Sequence, residues 1–166
     1  GSGGGLYQCD GTIQDNTITD NMADHGGGMT RCKGTIQNNI ISANSADRGG
    51  GLSGCVGIIQ NNTITGNSAS EYGGGLYVCG GTIQNNTISD NLVDLAGAGL
   101  WECDGPIQNN TISGNITAGS GGGLYQCDGT IQDNTIPDNM ADHGGGVTRC
   151  KGTSEKNSMS DKSAHR

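Results

Sequence analysis

Two sets of side chains in this 166-residue chain have types and spacing suited to chemistry. The first is acidic. Asp10, Glu102, Asp104 and Asp128 each follow a Leu by a few residues, Glu102 and Asp104 in one repeat unit and Asp128 in the next. Paired carboxylates hydrolyse glycosidic bonds when one holds a proton and the other acts as base or nucleophile. An elimination site would also need a basic group, and no Lys or Arg lies between Arg48 and Arg149. Solvated surface acids are therefore the expected state of these residues. The second set is aromatic. Tyr77, Trp101 and Tyr125 recur at 24-residue intervals. Three exposed rings in line would give a sugar chain a stacking surface, with Glu102 and Asp104 accepting hydroxyl hydrogen bonds. Binding is better supported than catalysis. No residue set calls for a metal or a cofactor, since His25, His143 and His165 are scattered.

The elements that must carry these side chains are written as a repeat. Seven units begin at Gly3, Gly26, Gly49, Gly73, Gly97, Gly121 and Gly144. Periods of this length mark solenoids, in which each unit is one layer. Three apolar columns run through the units. One is Leu6, Met29, Leu52, Leu76, Leu100, Leu124 and Val147. The others start at Ile13 and at Ile18 and return once per unit, ending at Ser154 and Met159. Triplets such as Thr12-Ile13-Gln14 and Thr17-Ile18-Thr19 read polar, apolar, polar, which is the period of a strand. Asn and Gly between them suit left-handed backbone at tight bends. Three short strands per unit, stacked in register, predict an all-β, single-stranded parallel β-helix of about seven coils. The whole chain, 1–166, reads as one domain, with regular coils over 3–150 and a degenerate last coil or cap over 151–166.

The phrase GGGLYxCxGTIQNNTISxN resembles the repeat of right-handed parallel β-helix proteins, the pectate-lyase-like superfold. It is especially similar to bacterial surface repeats of the polymorphic outer-membrane-protein kind. The resemblance covers about residues 3–150, and Asn109 to Asn115 spell NNTISGN. It implies a right-handed coil and a secreted or cell-surface location. For function it implies a structural or adhesive segment whose side face contacts a polysaccharide or host glycan. The alternative within the resemblance is a polysaccharide lyase or hydrolase, or its inactive remnant. A third reading is ice binding, from the rows Thr17/Thr19, Thr63/Thr65, Thr87/Ser89 and Thr111/Ser113, interrupted by Ile40 and Pro137.

Net charge is −8, which disfavours nucleic acid and anionic membrane surfaces. No apolar run approaches the ~20 residues of a membrane-spanning helix. Two Asn columns, from Asn16 to Asn157 and from Asn21 to Asn139, predict amide ladders along the axis. Seven cysteines, one per unit from Cys9 to Cys150, read as buried thiols rather than disulfides or a zinc site. The GGG triplets read as turns. The sequons at Asn61, Asn85, Asn109 and Asn115 matter only in a secretory host. Residues 1–35 and 119–153 differ only at Thr19/Pro137 and Met29/Val147, so a five-coil block was duplicated. Pro137 is expected to remove one ladder donor. The charged tail suits an end cap, and the open first coil suits end-to-end self-association. A chain that starts within its own repeat reads as a piece of something longer.

Overall fold

Each polar–apolar–polar triplet forms a strand with its central Ile turned inward. The computed structural model describes residues 1–160. The end of the expected cap, residues 161–166, which includes His165, lies outside the described residues. Leu6–Tyr7 and its six equivalents make a seven-stranded sheet that ends at Val147–Thr148. A second seven-stranded sheet runs from Asp10–Gln14 to Ser154–Glu155, and a third from Thr17–Thr19 to Ser158–Ser160. The pairings in these three sheets are parallel and in register, so Ile13 lies on Ile36 and Ile18 on Ile41. The chain is an all-β solenoid of seven stacked coils. Among the described residues no helix is long and apolar enough to cross a membrane.

A fourth, five-stranded sheet joins the three expected ones, from Met22–His25 to Ile116–Thr117. Its inward residues are Ala23, Ala46, Ala69, Val93 and Thr117. These side chains are too small or too polar to write a period-two hydrophobic signal. The main core stays where the apolar columns put it: Leu52, Ile59 and Ile64 are fully buried, as are Cys32, Cys55 and Cys103.

The Asn columns form the expected ladders. The backbone N–H and Nδ2 of Asn39 both donate to Asn62 Oδ1, at 3.0 Å each. Asn39 Nδ2 also donates to Ile13 O at 2.9 Å. The same three bonds recur at Asn44 with Asn67 and Ile18. Buried amides are thereby satisfied at every bend, and no fully buried side-chain N or O lacks a partner among the described residues. The left-handed residue is the one before each ladder Asn: Asn38, Asn61 and Asn85 before the first ladder, Asp20, Gly66 and Asp90 before the second. The glycine triplets serve packing as well as turning. A Cβ at Gly51 would sit 2.6 Å from Gly75 O and 3.2 Å from Ile64 Cγ2, so only Gly fits beneath the neighbouring coil.

The second sheet changes width. Its first four strands have five residues, as in Gly80–Gln84, and its last three have two, starting with Ile107–Gln108. The change occurs at Pro106, which has no N–H to give the ladder. Up to that point Lys33 N donates to Cys9 O, Val56 N to Cys32 O and Gly80 N to Cys55 O. Beyond it, Asp128 N donates to Asp104 Oδ1 at 3.2 Å and Lys151 N to Asp128 Oδ1 at 3.0 Å. A carboxylate replaces a carbonyl as acceptor. Pro137 acts more locally: Thr111–Ser113 and Thr135–Pro137 keep one paired position, Thr111 with Thr135, whereas the strands above and below keep three.

Candidate functional site

The outer face of the first sheet carries the aromatic residues. Tyr77, Trp101 and Tyr125 follow the buried Leu76, Leu100 and Leu124 and lie on one another in register. Their rings do not form one exposed line. Trp101 and Tyr125 stack with centroids 4.5 Å apart and planes 11° apart. On its other side Trp101 meets Tyr72, not Tyr77, at 4.2 Å and 31°. Tyr72 reaches the stack from the fourth sheet. An extra residue there shifts the register between Ala69 and Tyr72, so that Tyr72 pairs with Arg48 and Glu71 turns aside.

Both ends of this stack are closed by arginines. Arg149 lies over the Tyr125 ring at 5.6 Å and donates from Nη1 to its hydroxyl at 2.7 Å. Arg48 lies over Tyr72 at 6.0 Å and is held by an ion pair to Glu71. The sequence Arg–Tyr–Trp–Tyr–Arg is thus a cation–π and π–π column along the axis. Ring faces that a sugar would need are occupied by other rings, and Tyr125 is buried. Thr30 and Ser53, which hold the equivalent positions on the second and third coils, are buried as well.

Tyr77 stands apart from the stack. Its ring borders a recess of about 270 Å³ that also takes in His25, Arg31, Arg48, Ser53 and Val78. The recess exists because two successive coils carry Thr30 and Ser53 where others carry rings, and Gly54 where Arg31, Val78 and Glu102 stand in neighbouring coils. Val78 holds φ +49, an uncommon conformation for a β-branched residue.

The expected acidic residues are placed as follows. Asp104 and Asp128 are committed to main-chain N–H groups of the next coil. Glu102 is half-buried at a left-handed turn position, φ +47; its N–H donates to Tyr125 O at 3.0 Å, and its carboxylate has no hydrogen bond or ion pair among the described residues. Asp10 is exposed five coils away from Asp128, its duplicate. Glu102 and Asp104 therefore lie on one turn, and of the two only Asp104 is bonded through its carboxylate to the main chain of the next coil. Among the described residues, no three His, Cys, Asp or Glu side chains come together as a metal site.

The cysteines line the core as free thiols, five buried and the end members Cys9 and Cys150 half-buried. Each thiol donates to the carbonyl two residues before it, as Cys32 does to Thr30 O at 3.7 Å. Burial pushes the Cys103 thiol well above its ordinary pKa, which keeps it neutral. On the third sheet, Thr17, Thr63, Thr87, Thr111 and Thr135 form an exposed row broken by Ile40. The row beside it is partly spent on itself: Thr65 and Ser89 share a hydrogen bond of 3.1 Å.

Sequence reasoning missed three features. Tyr72 sits at no fixed place in the repeat, so only the inserted residue hints at it. The recess is a gap, visible as the absence of rings at Thr30 and Ser53. A third amide ladder runs outside the second sheet, where Gln37 donates to Gln14, Gln60 to Gln37 and Gln84 to Gln60 at 2.8–2.9 Å. Its signal was plain, since a Gln follows the second-column Ile in coils one to six.

Comparison with known proteins agrees with this geometry. The sequence matches the family model described as the right-handed beta helix region over residues 1–136. No curated protein and no solved structure matched the chain. With parallel in-register sheets, seven coils and amide ladders at the bends, the chain belongs to the right-handed β-helix family.

Proposed function

We propose that this chain is a rigid, non-catalytic segment of a secreted or cell-surface protein, a spacer that contacts glycans through the outer face of its first sheet. One observation carries the reading. The side chains best suited to chemistry, Asp104, Asp128, Trp101 and Tyr125, are tied to the solenoid itself. That leaves the Tyr77 border of the face for a ligand. A lyase or hydrolase would instead need Glu102 and Asp104 to act together. Trp101 fluorescence, followed during titration with acidic and neutral polysaccharides, tests the binding half. An assay for reducing ends and unsaturated products on the same panel tests the other half. Saturable binding without turnover supports the spacer. Turnover lost on Glu102→Gln would establish the enzyme in its place.

The exposed row from Thr17 to Thr135 favours ice binding as a second reading. It requires thermal hysteresis that falls when Thr63 and Thr87 are enlarged to Tyr.

A further inference from the structure

We infer that the recess beside Tyr77 is a subsite for a sugar unit bearing an oxyanion, a carboxylate or a sulfate ester. This rests on the glycan-contact reading and names its ligand class. Charge is the first argument. In a chain of net charge −8, Arg31 and Arg48 line one small recess, and Lys33 shares the next concavity with Arg31. Two carboxylates stand close to this group. Glu71 pairs with Arg48, and Asp10 lies in the concavity of Lys33. The Arg31 guanidinium has no ion pair or hydrogen bond among the described residues, and its planar fork suits bidentate contact with an oxyanion.

An unpartnered hydroxyl is the second argument. Ser53 is only 5 % exposed, lines the recess and hydrogen-bonds to no described residue through its side chain. Thr30, its neighbour below, is by contrast satisfied by His25 O at 2.6 Å. The Ser53 hydroxyl is not sealed off, since no fully buried side-chain oxygen among the described residues lacks a partner, so a ligand in the recess can supply its hydrogen bond. Shape is the third. The Tyr77 ring supplies an apolar wall for a sugar face, and the volume of about 270 Å³ suits one ring with its charged substituent.

The duplicated block supplies an internal control. Arg149 is the duplicate of Arg31, but it is bound to the Tyr125 hydroxyl. Calorimetric titration would use three tetrasaccharides: one containing glucuronate, one sulfated without uronate, and one neutral. Wild type is expected to bind at least one charged probe about tenfold more tightly than the neutral one. Arg31→Gln and Ser53→Tyr, the latter restoring a ring to the gap, should each weaken that binding by about tenfold, whereas Arg149→Gln should not. Whichever charged probe is preferred identifies the oxyanion. Urea midpoints of the variants separate lost binding from lost fold. Equal binding of the neutral probe, or equal loss in Arg31→Gln and Arg149→Gln, overturns the subsite and leaves glycan contact standing. No binding of any probe by wild type overturns both.

Discussion

Residues 1–35 and 119–153 are the same sentence written at two places in the rod, with two of 35 positions changed. Their structures differ more than their sequences. Asp10–Gln14 is a five-residue strand with Gly11 at φ +97. The identical DGTIQ at 128–132 forms only Ile131–Gln132, and Gly129 leaves the left-handed region. Met22–His25 is a strand, whereas its duplicate contributes isolated bridges at Met140 and His143. Arg31 faces a recess and Arg149 caps a ring. In a solenoid the coil above and the coil below decide what a given segment does. Pro106 narrows the sheet in its own coil, and the coils stacked after it inherit the narrow form.

The largest test of this view uses the first Asn ladder. Asn134 is buried and its Oδ1 accepts two hydrogen bonds from Asn110, at 2.9 and 3.0 Å, while the Oδ1 of Asn16, its duplicate, accepts none among the described residues. Asn134→Ala should cost about 3 kcal/mol in urea unfolding and Asn16→Ala about 1. Equal costs would mean that sequence rather than neighbours sets the contribution. Asp104→Ala comes next. It strands the Asp128 N–H and should cost about 1–2 kcal/mol, against nearly nothing for Asp10→Ala, which forms no such bond. Pro106→Thr should restore a donor to the ladder and stabilise the rod by about 1 kcal/mol. Amide exchange at Asp128 would show whether its donor has moved from a carboxylate to a carbonyl.

The smallest effect concerns the thiols, and here the two copies exchange roles. Cys9 and Cys150 are half-buried, whereas Cys127 and Cys32, their respective duplicates, are buried. A disulfide reagent at pH 8 should label Cys9 and Cys150 in the folded protein and spare the other five until urea is added. Labelling of Cys127 at the rate of Cys9 would contradict the burial of that column. At Cys103, where burial pushes the thiol up, charge state acts in the same direction as burial, since a neutral thiol is a weak nucleophile.

Much of this architecture was legible because the repeat compares each position with six others. Ile at the second and third columns, with polar neighbours, fixed strands and facing at once. The Asn columns announced their ladders for the same reason. The fourth sheet was not legible, because Ala23, Ala46 and Ala69 carry no hydrophobic contrast with the serines around them. The ring column was half legible. Register placed Tyr77 under Trp101, but an added residue before Tyr72 delivered a different ring. Events that break the period cannot be read from the period. Pro106 and Glu71–Tyr72 are both of that kind, and both shape the candidate face.

The amide ladders also give the rod a direction. In every rung the backbone N–H and Nδ2 of one Asn point to the Oδ1 of the next coil. The coil of Asn16 and Asn21 therefore ends in amide oxygens that accept nothing among the described residues. Two such ends brought face to face would set acceptor against acceptor. A coil that docks there must arrive with its donors first, as the preceding coil does at each Oδ1 inside the rod. The ladders are thus a one-way coupling: any coil added at that end would have to join head to tail, because the hydrogen bonds disfavour mirror-fashion pairing.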